Sequence, residues 1–108
     1  GTNMAVITIE SEEAALIPAL VGLLRSGTAD AEATAKLWKF AIKSENQVAI
    51  AEAIPHLVNL LSSGTADAKE HAAGTLRNLA NANAANQVAI ADAGAIRPLV
   101  ALLTTGTV

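Results

Sequence analysis

Few side chains in this sequence could do covalent or acid–base chemistry. Cysteine is absent, which removes thiolate nucleophiles, disulfides and sulfur ligands for a metal. His56 and His71 fall in different helical segments, and neither has partners at metal-ligand spacing, so no metal and no cofactor are expected. Serine and threonine gather in turns and helix starts, where their oxygens satisfy backbone donors. There is no Gly-x-Ser-x-Gly elbow and no phosphate-cradling loop. Glu10, Glu12 and Glu13 could mimic a catalytic carboxylate pair, but they read as residues preceding a helix, drawn to its positive end. No catalytic residue is assigned, and the chain is expected not to be an enzyme.

The residues suited to binding are more suggestive. Lys36, Lys39 and Lys43 are spaced i, i+3, i+7 and so share one helix face, which could meet an acidic peptide or simply face solvent. Trp38, the only tryptophan, is suited equally to anchoring a partner and to filling a small core. The net charge of −3 and the lack of any like-charge run longer than Glu12-Glu13 give no footprint for nucleic acid and no polybasic membrane patch. The longest apolar run, Leu16 to Leu24, is shorter than a membrane span, and no basic flank of a signal peptide opens the chain. The expected partners are therefore proteins or peptides, in the cytoplasm or the nucleus, with no nucleic acid and no membrane. Gly1-Thr2-Asn3 has the look of a cloning remnant.

What must position these residues is a repeat. With 108 residues, 52% of them apolar and only 2% aromatic, the chain has room for one domain built from closely packed Ala, Leu, Ile and Val, which favours helices. Ser26-Gly-Thr-Ala-Asp-Ala31 returns as Ser63-Gly-Thr-Ala-Asp-Ala68. Each copy follows a leucine-rich segment: Ile17 to Leu24, Ile54 to Leu61, and a third at Ile96 to Leu103. The element Asn46-Gln-Val-Ala-Ile-Ala51 recurs at Asn86 to Ala91. Self-similarity at this period marks a helical repeat protein.

Within the repeat, Ala72, Leu76, Leu79 and Ala80 fall on one helical face, with Lys69, Glu70, Arg77, Asn78 and Asn81 elsewhere. Gly64 is expected to be a left-handed helix stop, with Asp67 in the first turn of the next helix. Ser44 and Gln47 have capping-box spacing, and Ala93-Gly94-Ala95 ends a short helix. The unit predicted is a short helix at about 86 to 93, a second at about 95 to 104, a Gly-Thr turn, and a longer third helix as at about 66 to 82. The one stretch resembling a strand, Val6 to Ile9, cannot sustain a sheet alone.

These residues resemble the armadillo repeat family. The match runs through Asn86 to Ile96 as first helix and kink, Pro98 to Leu103 as second helix, and Glu70 to Ala80 as third. The resemblance implies an all-α, α-α superhelix of about two and a half repeats: a shortened repeat over 12–53, a full unit over 54–95 and a partial one over 96–108, after an N-terminal segment 1–11. It also implies a protein-interaction module whose third helices line a groove for an extended peptide. In the importin-like pattern of the family a Trp and, four residues later, an Asn face that groove. The corresponding positions here are Gly74 and Asn78, and Ala35 and Lys39, so Asn78 alone matches, as the clamp on a peptide backbone. Trp38 aligns with Arg77, next to the Asn position. The partner-binding residues expected are Asn78, Lys39, Lys36, Arg77 and Trp38.

The shortened repeat carries a further expectation. Ala51-Glu-Ala-Ile54 stands where Ala91-Asp-Ala-Gly-Ala-Ile96 stands in the next copy, so the glycine of the kink is lost. A single helix, kinked at Pro55, is expected from about 45 to 62. Such a joint would separate its flanks and favour exchange of halves between two chains, giving a homodimer. Self-assembly is accordingly the alternative to peptide binding.

Overall fold

A computed structural model describes residues 2–27 and 30–105, with side-chain detail between 13 and 104. The elements are α1 (Thr2–Ser26), α2 (Asp30–Phe40), α3 (Ser44–Ile50), a single 3₁₀ turn (Ala51–Ala53), α4 (Ile54–Ser63), α5 (Ala66–Ala80), α6 (Ala84–Asp92) and α7 (Ile96–Thr105). Among the described residues there is no strand, and Val6 to Ile9 lies inside α1. No single described helix is long and apolar enough to cross a membrane.

The helices stack in the order of the repeats. The central helix, α5, lies against α2 on one side and α4 on the other, and α1 packs on α2, α3 and α4. The leucine segments supply the core: Ile17, Leu20 and Leu24 from α1, Ile54, Leu57 and Leu61 from α4, closed by Leu37 of α2 and Leu76 and Leu79 of α5. The stack is elongated, 51 × 29 × 22 Å, as expected when each repeat touches mainly its neighbours.

Several local expectations change. Gly64 is extended, with φ −78° and ψ 169°, not left-handed. It is small for another reason: a Cβ there would lie 2.8 Å from the Leu60 carbonyl oxygen and 3.1 Å from the Ala68 Cβ. Its counterpart Gly27 does take φ +75°, and Gly94 takes φ +85° at the α6–α7 corner, where the helices turn by 80°. Thr65 is the cap of α5, its hydroxyl accepting from Ala68 N at 3.2 Å, and Asp67 sits in the first turn as predicted.

The joint between α3 and α4 is also corrected. It is not one helix from 45 to 62, because Ala51–Ala53 tightens into a 3₁₀ turn. No residue there is left-handed, since Ile50, Ala51, Ala53 and Ile54 all stay in the right-handed helical region. Both flanks pack on α1 within the same chain, so the separation expected of a straightened joint does not occur. Glu10, Glu12 and Glu13 do not precede a helix either, since α1 begins upstream of them. The side chains of Glu10 and Glu12 lie outside the described residues, and Glu13 pairs with Lys43 at 2.6 Å.

Candidate functional site

The surface of interest is made by the two third helices, α2 and α5, which lie side by side. α5 presents a row of polar side chains to the backbone of α2. His71 Nδ1–H donates to the Ala31 carbonyl at 3.0 Å, and Asn78 Nδ2 donates to the Trp38 carbonyl at 2.9 Å. Between them the Thr75 hydroxyl sits 3.3 Å from the Thr34 carbonyl and 2.7 Å from the carbonyl of His71 in its own helix, serving one acceptor at a time. These bonds fix the register of α5 on α2 over two turns. The Trp38 carbonyl lies at the frayed end of α2, where a helix has no intrahelical donor to offer.

Trp38 is half-buried by this docking. Its indole lies over Gly74, where a Cβ would come within 2.7 Å of Nε1, and its centroid is 5.6 Å from that of His71 at 42°. The family-type groove tryptophan is missing at Gly74, yet the indole of the preceding third helix occupies that place. Trp38 and Arg77 then line one cleft of about 440 Å³, together with Gly74, Leu76, Leu99 and Leu103. Asn78 and Arg77 line a second, more polar cleft of about 430 Å³, with Asn81 and Gln87. Trp38, Arg77 and Asn78 are therefore brought together. Lys36 and Lys39 are exposed on α2, beside Trp38 in sequence. Lys43 does not continue their row, since α2 ends at Phe40 and Lys43 is the first cap residue of α3, paired with Glu13.

The repeated Asn-Gln element proves to be a brace. Asn46 Nδ2 donates to the Phe40 carbonyl at 3.0 Å, and Asn86 Nδ2 to the Leu79 carbonyl at 2.9 Å. Gln47 Nε2 donates to Ala41 O at 3.2 Å, as Gln87 Nε2 does to Ala80 O at 2.8 Å. Each pair satisfies carbonyls at the end of the preceding third helix. Gln47 makes two further bonds, to Asn78 O at 3.0 Å and from Asn83 Nδ2 at 3.1 Å, so it ties three segments together. The capping box expected of Ser44 and Gln47 is not formed, because Lys43 is the N-cap and Gln47 points away to these carbonyls. Exact recurrence of Asn-Gln after each third helix was the signal for this role.

Among the described residues no group of three or more His, Asp or Glu side chains is gathered as a metal site. His56 is half-buried on α4, and His71 is engaged with α2. Comparison with curated proteins and with solved structures returned no match. One family model does match: the Armadillo/beta-catenin-like repeat, at residues 43–81. That stretch runs from the N-cap of α3 to the C-cap of α5, one whole unit of short helix, second helix and third helix. Residues 43–81 are thus similar to one armadillo repeat, and α2 stacks on the third helix of that repeat, α5.

Proposed function

We propose that this chain is a protein-interaction module that holds an extended, acidic segment of a partner along α2 and α5. The observations that carry this reading are the exposed Lys36 and Lys39 on α2, and the polar cleft on the neighbouring α5 that Arg77 lines with Asn78, Asn81 and Gln87. Charges on this rim would steer and orient the segment, and Trp38 would supply apolar contact. Asn78 commits one donor to Trp38 O, leaving its Oδ1 and second N–H for a peptide backbone. Such a module would bind and not catalyse.

The test is fluorescence anisotropy with labelled acidic peptides, comparing the chain with Lys39→Glu and Lys36→Glu. Both reversals should weaken binding, and increasingly so at low salt, where surface charge is least screened. Binding that is indifferent to both would place the partner elsewhere. Asn78→Ala is a less clean probe, because it also removes the bond to Trp38 O. It should cost about 1 kcal/mol of stability as well as affinity.

Self-association is the competing reading. It is favoured by the exposure of Ile96, Val100 and Leu103 along α7. Light scattering coupled to size exclusion separates the two, since a homodimer would double the mass of the free chain.

A further inference from the structure

The polar cleft owes its shape to a side chain that does not line it. Four of the six residues around that cleft, Asn78, Ala80, Asn81 and Ala82, belong to one short stretch, the last turn of α5 and its link to α6. Gln47 holds both ends of this stretch. Its Nε2 donates to Asn78 O at 3.0 Å at one end, and its Oε1 accepts from Asn83 Nδ2 at 3.1 Å at the other. The side chain comes from α3, is only 4% exposed, and has no part in the cleft wall.

Between the two anchors the backbone takes a conformation that it does not favour by itself. Ala82 has φ +52°, the one positive φ outside glycine among the described residues, where a Cβ crowds the following carbonyl. Asn83, the next residue, is fixed on both sides. Its Oδ1 accepts from Asn86 N at 3.0 Å as the cap of α6, and its Nδ2 donates to Gln47. The Gln47 amide is equally committed, with one N–H on Ala41 O and the other on Asn78 O. Glutamate, of the same shape, would set an oxygen against both carbonyls. The next copy of the element differs: Gln87 makes one bond, to Ala80 O, and lines the cleft itself.

We infer that Gln47 and Asn83 are positioning residues for partner binding. Their hydrogen bond keeps Asn78, Asn81 and Ala82 in the arrangement that receives the partner segment, while neither side chain touches it. This rests on the reading of the polar cleft as part of the partner site. A wall held in place before binding loses less freedom when the segment arrives, so the pair acts on affinity and not on stability alone.

The experiment uses the whole chain and a fluorescein-labelled peptide of alternating glutamate and serine. Affinity is read by anisotropy and corrected for the unfolded fraction of each variant, measured in urea. Serine caps a helix about as well as asparagine but cannot reach Gln47, so Asn83→Ser removes the bond and keeps α6 capped. It should weaken binding about threefold or more, and Gln47→Ala about tenfold. In the double variant Asn83→Ser should add almost nothing, because the bond is already gone. Thr65→Ala, which removes the cap at the other end of α5, should lower stability and leave affinity unchanged. Amide exchange at Asn81 and Asn83, measured without peptide, reports the brace by itself and should quicken about tenfold in both brace variants. Additive losses from Asn83→Ser and Gln47→Ala, an equal loss of affinity in Thr65→Ala, or unchanged exchange would overturn the inference. If the lysine reversals at Lys36 and Lys39 weaken binding and the brace variants do not, the inference alone fails. If the peptide does not bind, or binds indifferently to those reversals, the partner site itself is refuted and the inference with it.

Discussion

The middle repeat and the last one are written in nearly the same residues and are packed to very different depths. α4 and α7 share their pattern of Ile, Leu, Val and Leu, and α3 and α6 share Asn-Gln-Val-Ala-Ile-Ala. In the middle repeat Ile54, Val58, Leu61 and Gln47 are buried, and in the last Ile96, Val100, Leu103 and Gln87 are exposed, while Ile50 and Ile90, and Leu60 and Leu102, are buried alike. In a repeat protein the worth of a residue is thus set by its neighbours in the stack and not by its type.

The largest expected effect is in the apolar face. Leu61→Ala, in a fully enclosed site, should cost about 3 kcal/mol, and Leu103→Ala should stay within about 0.5 kcal/mol. Urea unfolding of the two variants checks this, and equal costs would break the comparison. The brace should show the same contrast at smaller scale. Gln47 is buried with three partners in reach, and Gln87 is exposed with one bond. Gln47→Ala should cost about 2 kcal/mol and Gln87→Ala about 0.5 kcal/mol or less, measured the same way.

The corners sharpen it further. Gly94 turns the α6–α7 corner at φ +85°, so Gly94→Ala should cost about 1 kcal/mol in left-handed strain. The corresponding joint at Ala51–Ala53 has no left-handed residue, and Ala53→Gly there adds unfolded-chain entropy and removes a fully buried methyl, a cost of about 1 to 2 kcal/mol. Thermal melts of both variants test whether the two corners are built differently. Thr65→Ala, removing the cap of α5, should cost about 1 kcal/mol or slightly less.

Much of the architecture was legible in the residues because repetition marks it three times over. The leucine segments, the Asp67 helix start and the Gly94 corner all stand where the pattern put them. What was misread depends on contacts across the stack. Ser63-Gly64 and Ser26-Gly27 are identical in sequence, yet only Gly27 is left-handed; Gly64 is extended, and what requires a glycine there is the closeness of Leu60 O and Ala68 to any Cβ. Gln47 has capping-box spacing along the chain, but the carbonyls it serves belong to the end of α2 and to α5. Lys43 completes a helical row on paper, and the row stops because α2 ends first. At the candidate site, the residue types of Trp38 and Arg77 drew notice, but their shared cleft required the docking of α5 on α2.

The central claim is that the leucine face of α4 is sealed by its neighbours in the stack while that of α7 is half open. Amide hydrogen exchange of the free chain, read by mass spectrometry on peptides from α4 and α7, tests it most directly. Amides of α4 should exchange near the rate of global unfolding. Those of α7 should exchange faster by on the order of a hundredfold, as lost apolar cover on one helix allows local opening. Equal protection of the two helices would show that something already covers α7, and would contradict the account.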